Sequence, residues 1–97
     1  MNPQHLPLIT IKGSPREMGQ QQGESARAQI HKALDRYRQV IPKAIGLTWE
    51  EARREARKFL PYGEEAFPQF VEEIHGIAEG SGVGFSELWL LNCYEGL

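Results

Sequence analysis

A single cysteine, Cys93, and a single aspartate, Asp35, occur among the 97 residues. One cysteine cannot close an internal disulfide. No Asn-x-Ser/Thr acceptor occurs, and the stretch after Met1 does not run from positive to apolar as a secretory leader does; the expected compartment is the reducing cytoplasm. Long apolar runs are lacking too. The longest covers residues 88–91, against the roughly 20 that a membrane span needs, so no membrane partner is expected. Nor is there an excess of one charge: 11 Lys and Arg stand against 13 Asp and Glu, for a net charge of -2, which argues against a nucleic-acid partner. With 40% hydrophobic and 25% charged residues, the composition is that of one small globular domain or a piece of one.

What is present is mostly helical in pattern. Leu8, Ile9, Thr10 and Ile11 favour a short strand at about 7–12, held to an edge by Pro7 and ended by Gly13. Ser14, Pro15 and Glu17 then supply a capping hydroxyl, a proline at the first helical position and a reciprocal glutamate, so a helix over about 15–41 starts there. Gly19 and Gly23 share one face of it with Ala26, Ile30, Leu34 and Tyr37. Two glycines inside a helix cost about 1 kcal/mol each, so their expected reason is close approach of another backbone. Thr48 and Glu51 repeat the capping box for a helix over about 49–60, which Pro61 closes. A third helix over about 64–79 carries Phe67, Phe70, Val71, Ile74, Ile77 and Ala78 on one side, with Gly80 past its end. Phe85, Ser86 and Glu87 read as staple, cap and acidic first turn of a short helix over 87–91, followed by residues with the pattern of a strand. So few elements bury their stripes only against a further layer, which a partner chain is expected to supply.

Residue types that carry chemistry are sparse. Cys93 has only His5, His31 and His75 as bases within the chain, none adjacent to it, and free cysteines are often simply buried. A packing role therefore stands beside a reactive one. His31 with Asp35, and His75 with Glu79, share helix faces at four-residue spacing but lack a third ligand, so no metal is expected. The adjacent pairs Glu50/Glu51, Glu64/Glu65 and Glu72/Glu73 point in different directions and read as surface charge. Gly80, Gly82 and Gly84 lack the lysine of a phosphate-binding loop, and no cofactor is expected.

Three segments in this order and spacing are more specific: GSPREMGQQQG at 13–23, PQFVEEIHGIAEG at 68–80 and LLNCYE at 90–95. Together they resemble the N-terminal part of the acyl-coenzyme A:6-aminopenicillanic acid acyltransferase family; the last also resembles the segment before the cleavage point of acid ceramidase. Both groups are N-terminal nucleophile hydrolases. The resemblance implies an α+β fold class, in which a mostly helical α chain completes a four-layer αββα fold with a separate β chain. It further implies a precursor that cuts itself before a cysteine, which becomes the first residue of the β chain and the nucleophile. This chain would then be the α chain, inactive alone, with no catalytic residue of its own. Asn92, Cys93, Tyr94, Glu95 and Leu97 are the implied candidates for the substrate pocket or the cleavage junction. The implied partners are the β chain and a small-molecule acyl amide or thioester, with higher oligomers of αβ units left open. Gln22 stands where relatives often carry histidine, so a role attached to that histidine does not transfer. The alternative is a non-catalytic helical interaction module that binds a partner helix through the stripe at 67–78. A third reading makes Cys93 a reactive thiol in an uncut protein.

Overall fold

The computed structural model describes residues 13–95. The expected strand at 7–12 lies outside them, and among the described residues all regular structure is helical. Six helices follow one another: α1 (Pro15–Ser25), α2 (Arg27–Ile45), α3 (Trp49–Arg57), α4 (Leu60–Ala66), α5 (Pro68–Ser81) and α6 (Phe85–Glu95).

Both capping boxes form. The Ser14 hydroxyl accepts from the Glu17 amide at 3.2 Å while the Glu17 carboxylate accepts from the Ser14 amide at 2.8 Å, and Thr48 with Glu51 does the same at the start of α3. The expected helix over 15–41 divides at Ala26, whose amide reaches back to Gln22 and whose backbone turns out of helical geometry. Gly23 and Ser25 are weak helix formers, and the break lets α1 follow α5 while α2 turns onto the core. Pro42 does not end α2; the helix runs on to Ile45 and stops at Gly46 in left-handed geometry with φ 73°. The helix expected over 49–60 stops at Arg57, and Pro61 falls in the first turn of α4, where its missing amide hydrogen costs nothing.

α1 and α5 run parallel and form the tightest seam. Gly19 lies over the Glu73 carbonyl and Gly23 over that of Ile77; in return Gly76 lies over the Arg16 carbonyl and Gly80 over that of Gln20. A Cβ at any of the four would collide with backbone, which cannot move aside as a side chain does. Gly80 is therefore inside α5, not past its end, and the cap is Gly82 at φ 79°. Polar side chains rim the seam: Arg16 pairs with both Glu72 and Glu79, and Gln20 donates to Glu79 at 2.7 Å.

The other face of α5 meets the core. Leu34 and Ile41 from α2, Ala52 and Ala56 from α3, Val71, Ile74 and Ala78 from α5, and Leu88, Trp89 and Leu90 from α6 are all buried. Each large aliphatic side chain sealed in this way contributes roughly 1.5–3 kcal/mol. The Trp89 indole donates to the Ala56 carbonyl at 2.7 Å, and Gly63 leaves room for the far edge of its ring. Phe67 and Phe70, expected on the buried stripe of the third helix, are instead 66% and 46% exposed. The reason is geometric: α5 begins only at Pro68, and the core covers it from Val71 onward.

Candidate functional site

Residues 92–95 do not form a strand. They complete α6, which runs Phe85–Glu95, and the Asn92 side chain donates through Nδ2 back to the Leu88 carbonyl one turn earlier, at 2.9 Å. The helix also starts earlier than 87. Its first turn opens from Gly84, whose carbonyl receives the Leu88 amide at 3.3 Å, so Phe85 and Ser86 are helical and not staple and cap. One physical consequence follows from the helical course. Leu90, Cys93 and Tyr94 stand three and four positions apart and so share one face.

That face forms one wall of an apolar groove of about 320 Å³. Ile45, the last residue of α2, and Leu47 just beyond it also line the groove, as do Ala52 and Ala56 of α3 and Phe59 after it. Asn92 and Glu55 are the polar residues on its lining, and Glu55 is already paired with Lys58 at 2.8 Å. Ile45 and Phe59 are 41% and 58% exposed beside it. The Tyr94 ring meets Tyr37 of α2 edge-on at 6.3 Å, which fixes α6 against α2. Burial pushes the Cys93 thiol above its ordinary range, so the thiolate needed for attack is disfavoured.

Three of the sequence candidates, Asn92, Cys93 and Tyr94, thus line one groove. Glu95 ends α6, and Leu97 lies outside the described residues. The helix-face pairs do not meet as pairs. His31 donates through Nε2 to the Ser81 carbonyl at 2.8 Å, closing the end of α5, while Asp35 pairs with Arg38 at 3.1 Å. His75 stacks on Phe85 with centroids 3.8 Å apart, and Glu79 is held by Arg16. Gln22 donates to Glu73 at 3.3 Å across the α1–α5 seam. No helix among the described residues is long and apolar enough to cross a membrane.

Glu87, expected as an acidic first-turn residue and found in the first turn of α6, also has long-range partners that the sequence does not show. Its side chain, only 13% exposed, accepts from Arg38 at 2.8 Å and from the Trp49 indole at 3.1 Å, and so joins α2, α3 and α6. Those contacts have no local signal, because the partners lie 49 and 38 residues away.

The chain matches enzymes of acyl transfer and hydrolysis, and the matches support its membership of the acyl-coenzyme A:6-aminopenicillanic acid acyltransferase family. One relative is the acyl-coenzyme A:6-aminopenicillanic-acid-acyltransferase 40 kDa form of Emericella nidulans, 32% identical over 84 residues, which are 87% of this chain and 24% of that protein. Another is the β-alanyl-dopamine/carcinine hydrolase of Drosophila melanogaster, 26% identical over 98 residues, or 95% of this chain and 24% of that protein. The chain therefore spans about a quarter of the length of each. No family model matches it, and no solved structure does.

Proposed function

We propose that this chain is the helical α subunit of a self-processed cysteine amidohydrolase or acyltransferase with an αββα fold, whose nucleophile is the first residue of a partner β chain. The observation that carries the reading is the similarity to an acyltransferase and a hydrolase over 87% and 95% of the chain. Both names describe an acyl group joined to, or removed from, an amine. The partner's cysteine, freed at its own N-terminus by backbone cleavage, gives its thiol proton to its α-amino group, whose ordinary pKa of about 8 suits that exchange. The thiolate adds to the amide or thioester carbonyl, the leaving amine or thiol takes the proton, and the acyl-enzyme passes to water or to an acceptor amine. The α chain contributes position and not proton transfer. Asn92, Cys93, Tyr94 and Glu95, at the end of α6, stand beside the reacting centre as pocket wall or junction support.

The raised pKa of Cys93 favours this assignment over a reactive Cys93. The interaction-module alternative loses most of its surface, since Val71, Ile74 and Ala78 of the stripe at 67–78 are buried in this chain's own core and only its first residues, Phe67 and Phe70, stay exposed. Incubation of the full-length protein with acyl thioesters and hydroxylamine tests the reading. Hydroxamate should form, and alkylation of the new N-terminal cysteine should stop it. Turnover that survives that alkylation, or none across amides and thioesters, rejects the reading.

A further inference from the structure

α6 is apolar on too many sides for burial alone to set its rotation. Leu88, Trp89 and Leu90 are buried one after another, and Phe85, Leu91, Cys93 and Tyr94 pack partly against the same core. Successive residues of a helix stand about 100° apart, so three buried in a row wrap about 200° of its circumference. Apolar burial has no direction, and a helix coated in this way turns about its axis at small cost. Directional bonds must choose the setting, and two hydrogen-bonded anchors supply them. The Trp89 indole donates to the Ala56 carbonyl at 2.7 Å, and Glu87 accepts from α2 and α3 together. Standing two positions apart, about 200° round the helix, they grip different sides of it.

Trp89 also fills the core, whereas the role of Glu87 is chiefly directional. Its Oε2 takes three donors: Arg38 Nη2 at 2.8 Å, Arg38 Nε at 3.2 Å and the Trp49 indole at 3.1 Å. Its side chain is no part of the apolar cluster. We propose that Glu87 is a positioning residue: by holding Arg38 of α2 and Trp49 of α3 on one oxygen, it sets the rotation of α6, and with it where Asn92, Cys93, Tyr94 and Glu95 stand. The inference rests on the proposed function for what that end of α6 lies beside; it adds which residue, up to about two turns away, places it. A turn of α6 by about 20° moves side-chain ends, about 5 Å from the axis, by roughly 2 Å. Beside reacting atoms, a misplacement of about 1 Å already costs about a hundredfold.

Two readings on the full-length protein test this. The first is the rate of self-cleavage after cell-free synthesis, followed by intact mass, which needs no substrate. Glu87→Ala should cut on the order of tenfold or more slowly than wild type. Glu87→Gln, which keeps an acceptor oxygen for Arg38 and Trp49, should recover most of that rate. Val71→Ala, which weakens the buried core without touching either anchor, should cut at the wild-type rate. Wild-type cutting in Glu87→Ala overturns the inference. So does equal slowing in Val71→Ala, which makes the loss one of stability, or a Glu87→Gln as slow as Glu87→Ala. The second reading is the labelling of Cys93 by N-ethylmaleimide in the native protein, resolved at the peptide level. Glu87→Ala should change that rate about threefold or more, and Val71→Ala should leave it unchanged. An unaltered Cys93 rate in Glu87→Ala means that α6 has not turned, and overturns the inference. Trp49→Phe, which keeps a ring but loses the indole hydrogen, gives both readings should Glu87→Ala fold poorly, and wild-type values in it overturn the inference equally. A wild type that never cuts rejects the self-processed enzyme, while a Cys93 rate that still answers to Glu87 keeps the setting of α6. Normal cutting in both wild type and Glu87→Ala does the reverse.

Discussion

The carbonyl oxygen of Arg16 lies where a Cβ on Gly76 would have to go. The two helices meet through backbone, with Gly19, Gly23, Gly76 and Gly80 all on the seam. Gly76→Ala should therefore cost about 3 kcal/mol or more, since two backbones must separate to admit one methyl group. Gly84→Ala, whose nearest contact is a flexible carboxylate at 3.7 Å, should cost about 1 kcal/mol or less. Urea unfolding of both variants measures this. Equal midpoints would contradict the backbone seam.

The same seam is sensitive to acid. Arg16 donates to Glu79 at 3.0 Å, and together with Gln20 it holds the Glu79 carboxyl down to about 2, from an ordinary value of 4.5. A depressed folded-state pKa means that the unfolded chain binds the proton more tightly. The contribution is thus complete above about pH 4.5 and is lost as pH falls through about 2. Thermal midpoints across this window should fall less steeply in Glu79→Gln than in wild type. Because both side chains are about half exposed, the difference should shrink in high salt.

Where α2, α3 and α6 meet, Glu87 accepts from Arg38 and from Trp49. Its removal in Glu87→Ala should cost about 2 kcal/mol, because the indole hydrogen and the guanidinium lose an acceptor in a poorly hydrated place. Asp35→Ala, which removes only an exposed partner of Arg38, should change stability by about 0.5 kcal/mol or less. Denaturant midpoints for the two variants check the contrast.

Local chemistry made part of this legible and distant contacts hid the rest. Ser14 with Glu17 and Thr48 with Glu51 announce their helices because all the partners sit within one turn. Gly19 and Gly23 announce a close neighbour, yet its identity depends on Gly76 and Gly80, and Gly80 in isolation looks like a helix stop. The end of α6 departs from its strand-like pattern for a related reason: Cys93 and Tyr94 suit a strand, and the contact of Tyr94 with Tyr37, 57 residues earlier in the chain, is what holds this end as helix against α2. The groove is a product of those same contacts and has no signature in the sequence.

If the end of α6 stands beside the reacting centre, Tyr94→Ala combined with Glu95→Ala should slow both processing and turnover by about tenfold or more, since misplacement near a reacting atom is costly. Single-turnover acylation rates and the fraction of cut precursor measure the two effects. Wild-type values for both would remove these residues from the site.

Intact mass spectrometry of the full-length protein, purified without denaturation, puts self-cleavage to the most direct test. The expected result is two polypeptides, one carrying these helices and the other beginning with cysteine, and replacement of that cysteine by alanine should leave one uncut chain. A single uncut mass in an active wild-type enzyme would contradict the assignment of these helices to a processed α subunit.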